Sequence, residues 1–322
     1  MSVLVTGGAG YIGSHVVRLL QERGQDVVVV DDLSNGSASR TGGAPIVQVD
    51  LAVDAAPARL VEAMREHDVS SVIHFAARKQ VGESVAKPAW YWKQNVGGTA
   101  NLLLAMEEAG VSQLVFSSSA ATYGAPATEL VREDGPAEPI NPYGQTKLVG
   151  EWMTQGAAVA WGLRAANLRY FNVAGAGWPD LGDPAAMNLI PMVFDRLERG
   201  EAPAIFGDDY PTPDGTCIRD YVHVLDLARA HLAALDHLAT DERPFDVFNV
   251  GTGTGASVRQ VIDEVRRASG REVEPVVNPR RPGDPPKLVA DVSRVRDVLG
   301  WEASEDLTSI VGSAWEAWRT TR

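Results

Sequence analysis

An apolar run, Val3-Leu4-Val5, leads directly into Thr6-Gly7-Gly8-Ala9-Gly10-Tyr11-Ile12-Gly13. This order reads as a buried strand, a glycine turn and the start of a helix, and it restricts the fold more than any other segment. The turn aims backbone N–H groups and the positive end of a helix dipole at an anion. Glycines at Gly7, Gly10 and Gly13 permit the tight turn and the close approach of a pyrophosphate. Asp31 closes a second apolar run, Val27-Val28-Val29-Val30. A carboxylate there accepts hydrogen bonds from a ribose 2′-hydroxyl and repels a 2′-phosphate, so the expected ligand is NAD rather than NADP. A glycine triplet alone carries little weight. The order strand, glycine turn, helix, strand, acidic residue favours a nucleotide over a bland glycine loop.

The chain of 322 residues suits one large domain or two closely joined ones. A surface with a net charge of −13 does not attract nucleic acid or an anionic membrane, and leaves room only for local basic pockets. No apolar run approaches the ~20 residues that span a bilayer, and the chain opens on its first strand without a charged leader. Cys217 is the single cysteine, which rules out an intramolecular disulfide and points to a reducing cytoplasm, with Cys217 read as a small packed residue. The six histidines are scattered without metal-ligand spacing, so no metal is expected.

Strands are expected at 3–5, 27–30, 46–49, 71–75, 114–117 and 165–170, with helices at 12–23, 58–67, 95–109 and 143–160. Apolar strands separated by helices imply an α/β fold, a doubly wound parallel sheet of the Rossmann type. Ligands then sit beyond the carboxyl ends of the strands, where Phe75-Ala76-Ala77 and Ser117-Ser118-Ser119 fall. After residue 173 the rhythm changes. Segments 175–184 and 207–215 read as loops, with helices at 189–199, 225–238, 258–269 and 306–319 and Ser257 as an N-cap. The expected division is a dinucleotide-binding domain over 1–173, joined again by part of 220–250, and a smaller α/β lobe over 174–322.

Asn141-Pro142-Tyr143-Gly144-Gln145-Thr146-Lys147 is the second informative segment. Asn141 suits an N-cap and Pro142 a first helical position. Tyr143 and Lys147 then share one helix face near its N-terminus. A nearby ammonium and the helix dipole favour the phenolate, which makes Tyr143 a candidate general base for a hydroxyl proton. Ser119, ahead of it, would hydrogen-bond the reacting oxygen. Read without function, the pair is a surface tyrosine with a solvated lysine, and the serines cap backbone groups.

These segments together resemble the extended short-chain dehydrogenase/reductase superfamily, and within it the UDP-glucose 4-epimerases. The resemblance covers essentially the whole chain. It runs through residues 3–15, Val72-Ile73-His74-Phe75-Ala76-Ala77, Val81-Gly82-Glu83-Ser84-Val85, Phe116-Ser117-Ser118-Ser119, residues 142–147 and Leu168-Arg169-Tyr170-Phe171-Asn172. It continues through Ala204-Ile205-Phe206-Gly207-Asp208-Asp209-Tyr210-Pro211-Thr212, Arg219-Asp220-Tyr221-Val222-His223-Val224 and Arg280-Arg281-Pro282-Gly283-Asp284. The last three segments point to the epimerases.

By position, the resemblance implies an NAD site lined by Tyr11, Ile12, Asp31, Asn35, Asp50, Leu51, Phe75, Ala76, Lys79, Asn95 and Phe171. Gly7, Gly10, Gly13, Asp32, Ala77, Ser117, Tyr143, Lys147 and Tyr170 are assigned to the same site. Ser119 and Tyr143 match the catalytic pair, and Lys147 the residue that binds the nicotinamide ribose and tunes the tyrosine. Asn172, Asn188, Leu189, Ala204, Ile205, Phe206, Arg219, Arg281 and Asp284, with Ser119 and Tyr143, match the UDP-sugar site. Two departures stand out. Asp32 replaces a frequent asparagine, which strengthens the bias against a 2′-phosphate. Leu288 takes a position near the sugar where relatives carry tyrosine or a smaller residue, which leaves N-acetylated sugars open.

The implied reaction is reversible, NAD-dependent 4-epimerisation of UDP-glucose and UDP-galactose through a transient 4-keto sugar. The same chemistry on a UDP-N-acetylhexosamine, UDP-glucuronate or UDP-pentose stays open. A nucleotide-sugar dehydratase needs an acid–base pair where Ala120 and Ala121 stand. A non-catalytic NAD sensor would not need Ser119, Tyr143 and Lys147 together. The helices 95–109 and 143–160 carry apolar positions on more than one face, which fits a two-helix-per-subunit homodimer or burial within a monomer.

Overall fold

The computed structural model describes residues 1–185, 187–240, 243–281 and 283–320. Pro282 of the arginine-rich 280–284 segment lies outside the described residues. Six strands alternate with helices in the first half: β1 (Ser2–Thr6), β2 (Asp26–Asp31), β3 (Ile46–Gln48), β4 (Val69–His74), β5 (Gln113–Ser117) and β6 (Arg164–Tyr170). The covering helices are α1 (Tyr11–Glu22), α2 (Ala56–Glu66), short α3 (Val81–Ala86) and α4 (Pro88–Tyr91), α5 (Gly98–Ala109) and α6 (Pro142–Trp161). The strands read as unbroken apolar runs because both sheet faces are covered. Val3, Val5, Val27 and Val29 face the layer of α1, while Leu4, Val28 and Val30 face that of α2 and α5. Each such fully buried aliphatic side chain contributes about 1.5–3 kcal/mol.

The remaining elements, in chain order, are β7 (Asn172–Ala174), α7 (Leu189–Glu198), β8 (Ala204–Phe206), β9 (Ile218–His223), α8 (Val224–Thr240), β10 (Phe245–Val250), β11 (Gly255–Ser257), α9 (Val258–Ser269), β12 (Val276–Asn278), β13 (Lys287–Leu288), α10 (Ser293–Leu299) and α11 (Leu307–Thr320). The large sheet has the order β10-β6-β5-β4-β1-β2-β3, and all its pairs are parallel. This is the doubly wound arrangement, extended at one edge by β10. In the same segment α8 packs on α1, with Leu227 and Leu232 in the cluster of Val16, Val17 and Leu20.

The smaller lobe buries Phe194, Ile205, Val261, Ile262, Ile310 and Trp318 against one another. β9 joins the lobe to the sheet end, because it pairs β11 and β13 and also pairs β7 just beyond β6. Ser257 caps α9 through a complete capping box with Gln260. Cys217 is buried. No helix among the described residues is long and apolar enough to cross a membrane.

One departure from the sequence reading bears on function. The helix expected from residue 95 starts at Gly98, and the preceding turn, Trp92–Gly97, is π-helical. Pro88 lacks the N–H that would continue α3 into α4. The widened turn carries Asn95 inward, where its Nδ2 donates to the Arg78 carbonyl and to Thr146 Oγ1 and its Oδ1 accepts from the Arg78 N–H.

Four buried histidines brace these layers in neutral form. In His231, Nδ1 faces the Leu227 carbonyl and must carry the proton, so Nε2 accepts from Ser117 Oγ at 2.7 Å. His15, His74 and His223 are satisfied on both nitrogens in the same way. Burial pushes His15 and His231 down to about 4 and His74 to about 3. The unfolded chain therefore binds more protons than the native state below about pH 6.5. Stability from these groups is complete above that pH and is lost as pH falls toward 4. Urea unfolding from pH 7 to pH 5 should show this fall, made shallower by up to about one proton in His231→Gln. Equal slopes in the two proteins would contradict the assignment.

Candidate active site

Gly7 has φ +70°, and a Cβ there would meet the Ala76 N at 2.8 Å. The turn therefore packs backbone to backbone against the end of β4, which only glycine allows. A Cβ on Gly13 would lie 2.2 Å from the Gly7 carbonyl oxygen. The first turn of α1 is thus pressed onto the loop that precedes it. No side chain caps α1 at Gly10, so its opening N–H groups face the adjoining cleft.

That cleft runs along the carboxyl ends of β1, β2, β4 and β6. It is lined by Gly7, Gly10, Tyr11, Ile12, Gly13, Asp31, Asp32, Asn35, Asp50, Leu51, Phe75, Ala76, Ala77, Lys79, Asn95, Tyr143, Lys147 and Tyr170. Two members of the expected cofactor set stand apart. Ser117 is fully buried with its hydroxyl turned to His231, and only its carbonyl reaches toward the cleft, through Lys147. Phe171 packs with Ala120, Tyr123, Val131 and Ala290.

Asp31 accepts from the Ala9 and Leu33 N–H groups at 3.0 and 2.9 Å, while burial raises its carboxyl. Asp32 is engaged by Arg78, Nη2 to Oδ2 at 2.7 Å. Arg78 also donates to Ser34 Oγ and Gln94 Oε1. Arg78, Trp90 and Gln94 line the cleft, as do Asp183, Pro184, Ala185 and Met187 from the loop before α7. The sequence reading missed all of these. Arg78 carried a usable signal, a cation between two expected cleft residues at a strand end. Trp90 and Gln94 did not, because the four-residue α4 that carries Trp90 and the π-helical turn that presents Gln94 have no periodic signature.

Tyr143 and Lys147 project from the first turns of α6. Asn141 caps this helix through its side chain, which accepts from the Gly144 N–H at 2.9 Å, and Pro142 opens it. Ser119 Oγ accepts from the Ala121 N–H at 3.1 Å, and the same side chain acts on the Tyr143 phenol to lower it. The serine thus caps the 3-10 turn that follows it. The electrostatics correct one expectation. Lys147 was expected to lower the phenol, but its Nζ donates to the Ser117 carbonyl at 2.7 Å. Burial raises Tyr143, opposed by the Ser119 hydrogen bond. Burial also pushes Lys147 down to about 8, against the pull of Glu151 one turn further on. Desolvation of a phenol in a closed site outweighs an ammonium whose hydrogen bond goes elsewhere.

The expected UDP-sugar residues lie outside this cleft, apart from Tyr143. Arg219 bonds the Ile218 and Pro285 carbonyls and approaches Asp284 at 3.5 Å. Arg281 lies over the Phe206 ring. Asn172 and Asn188 are exposed and Leu189 and Ala204 half-buried. Ile205 is a core residue of the lobe, so its side chain is closed to any ligand. Ala120 and Ala121 follow Ser119 in a short 3-10 turn and bring no proton-transfer group. Among the described residues no three His, Cys, Asp or Glu side chains gather as a metal site.

Comparison with known proteins agrees with this geometry. Residues 3–251 match the model of the NAD dependent epimerase/dehydratase family. A UDP-glucose 4-epimerase of Azospirillum brasilense is 48% identical over 323 residues, 98% of this chain and 91% of the relative. The crystal structure of UDP-glucose 4-epimerase from Brucella ovis in complex with NAD is 44% identical, covers 97% of each chain and superposes with a TM-score of 0.92. That of the Stenotrophomonas maltophila enzyme, with bound NAD and formylated UDP-arabinopyranose, is 42% identical over 100% of this chain and 98% of the other, with a TM-score of 0.93.

Proposed function

The chain belongs to the NAD dependent epimerase/dehydratase family, and on that premise we propose that it interconverts UDP-glucose and UDP-galactose at carbon 4 with a resident NAD. The observation that carries the reading is the single cleft in which an uncapped helix N-terminus, Asp31, Tyr143 and Lys147 meet. These residues fit the dinucleotide: the α1 N–H groups suit its pyrophosphate, Asp31 a ribose diol, and Lys147 the second ribose. When bound, NAD supplies reversible acceptance of the carbon 4 hydrogen, which makes a transient 4-keto sugar.

The chain's own residues do the rest. Tyr143 takes the 4-hydroxyl proton and later returns it. Ser119 holds the reacting oxygen and opposes the upward shift of the phenol caused by burial. Lys147 lends positive charge near both groups. Arg219, Arg281, Phe206 and Asp284 of the lobe hold the uridine and diphosphate, so that the sugar can turn and present its other face. Binding energy remote from carbon 4 then supports chemistry at carbon 4. Ala120 and Ala121 leave the site without the acid–base pair that elimination of water would need.

The chain divides on this reading into a dinucleotide domain over 1–173, rejoined by α8 and β10, and a substrate lobe over the rest of 174–322. Exposed Leu104 on α5 and Trp152 and Val159 on α6 support pairing of these two helices with a second copy. Light scattering at twice the chain mass would bear this out, and the single-chain mass would refute it. The lone buried thiol suits a reducing cytoplasm.

Purified protein given UDP-galactose and no added cofactor should form UDP-glucose. Tyr143→Phe should lower kcat by about 10²–10⁴-fold, the usual contribution of a positioned general base. Undiminished turnover in that variant would remove Tyr143 from the reaction.

A further inference from the structure

Arg280 and Arg281 are consecutive, and each guanidinium covers an aromatic ring. Arg280 Cζ lies 4.2 Å from the Tyr210 centroid, and Arg281 Cζ lies 3.8 Å from that of Phe206. Their charges are treated differently. Arg280 Nε is paired with the Asp209 carboxylate at 2.6 Å, and its Nη2 donates to the Asp209 carbonyl. Among the described residues, the Arg281 guanidinium has no carboxylate partner and no hydrogen-bond acceptor. Asp284, three positions on, faces Arg219 instead. Arg280 is therefore tied down by an ion pair, while Arg281 is an exposed cation held only through the face of a half-buried ring.

An aromatic face with an unspent guanidinium on it is a composite of two ligand-binding elements, each blocking the other. The ring can stack a nucleobase, and the guanidinium can make bidentate, charge-assisted bonds to a phosphate. Both cannot use the same ring face at once. We propose that Arg281 is an exchange residue that selects for phosphate on a nucleoside ligand. Without ligand its guanidinium covers Phe206. A uracil base displaces it, and the displaced guanidinium moves to the diphosphate of the same molecule. This rests on the UDP-sugar reading and deepens it. A bare nucleoside must break the contact between cation and ring without supplying an anion in return, so the site discriminates against uridine by an interaction made in the empty state.

The exchange predicts shifts of opposite sign from one substitution. Uridine and UDP are titrated calorimetrically into the purified protein and into Arg281→Ala. The variant should bind uridine about two- to fivefold more tightly, because the ring is already free. It should bind UDP about tenfold or more weakly, because the diphosphate has lost a charge-assisted partner. Arg281→Lys should lie between the two, and Phe206→Leu combined with Arg281→Ala should abolish the gain for uridine. Intact UDP binding in the unaltered protein with no gain for uridine in Arg281→Ala would overturn the exchange alone. Failure of the unaltered protein to bind UDP would overturn the UDP-sugar reading and the exchange with it.

Discussion

The buried ammonium of Lys147 donates to the carbonyl of Ser117, and this bond fixes α6 against the end of β5. A hydrogen bond to a charged group is worth about 1.5–3 kcal/mol, and a buried ammonium without one costs more than that. The two neighbouring serines extend the same attachment. Ser118 donates its hydroxyl to Glu151 on α6, and Ser119 opposes the upward shift of Tyr143. On its other side Ser117 donates to His231 of α8. Ser117 and Ser118 at one strand end thus bind α6 at successive turns and hold α8 in place. The position of Tyr143 relative to the cleft follows from these contacts.

Beneath them lies a buried ion pair. Arg169 Nη2 meets Glu151 Oε2 at 2.6 Å, with Nε also donating to the carboxylate, and the guanidinium lies over Tyr123. Such a pair is poor evidence for stability, because desolvating both charges offsets most of their attraction. Its geometry orients instead. Glu151 is fixed from one side by Arg169 and holds Ser118 on the other, and its charge acts on Lys147 one turn away. The molecule separates its tasks accordingly. The large sheet and α6 hold Tyr143 and Lys147 in place, while the smaller lobe carries Arg219 at the start of β9 and Arg281 in a loop.

Much of this was legible in the sequence, for identifiable reasons. Val27-Val28-Val29-Val30 declares a strand because both its faces are covered, and Asn141-Pro142 declares a helix start because cap and first turn are local chemistry. Gly7 and Gly13 were legible as a turn, though the backbone contacts that require them appear only in three dimensions. Short strands such as β7, β8 and β13 were not legible, since two or three residues give no period and pairing partners are distant. The π-helical turn that inserts Asn95 has no local signature either. The direction of the Tyr143 shift was misjudged because spacing on a helix shows that two groups are near, whereas the ammonium's hydrogen bond and the burial of the phenol depend on β5.

The central claim is that a hydrogen leaves carbon 4 of the sugar and returns to it without leaving the protein. The direct measurement uses UDP-galactose carrying deuterium at carbon 4, converted in ordinary water. The account predicts UDP-glucose that keeps the deuterium at carbon 4. Product whose carbon 4 hydrogen comes from the solvent would contradict it.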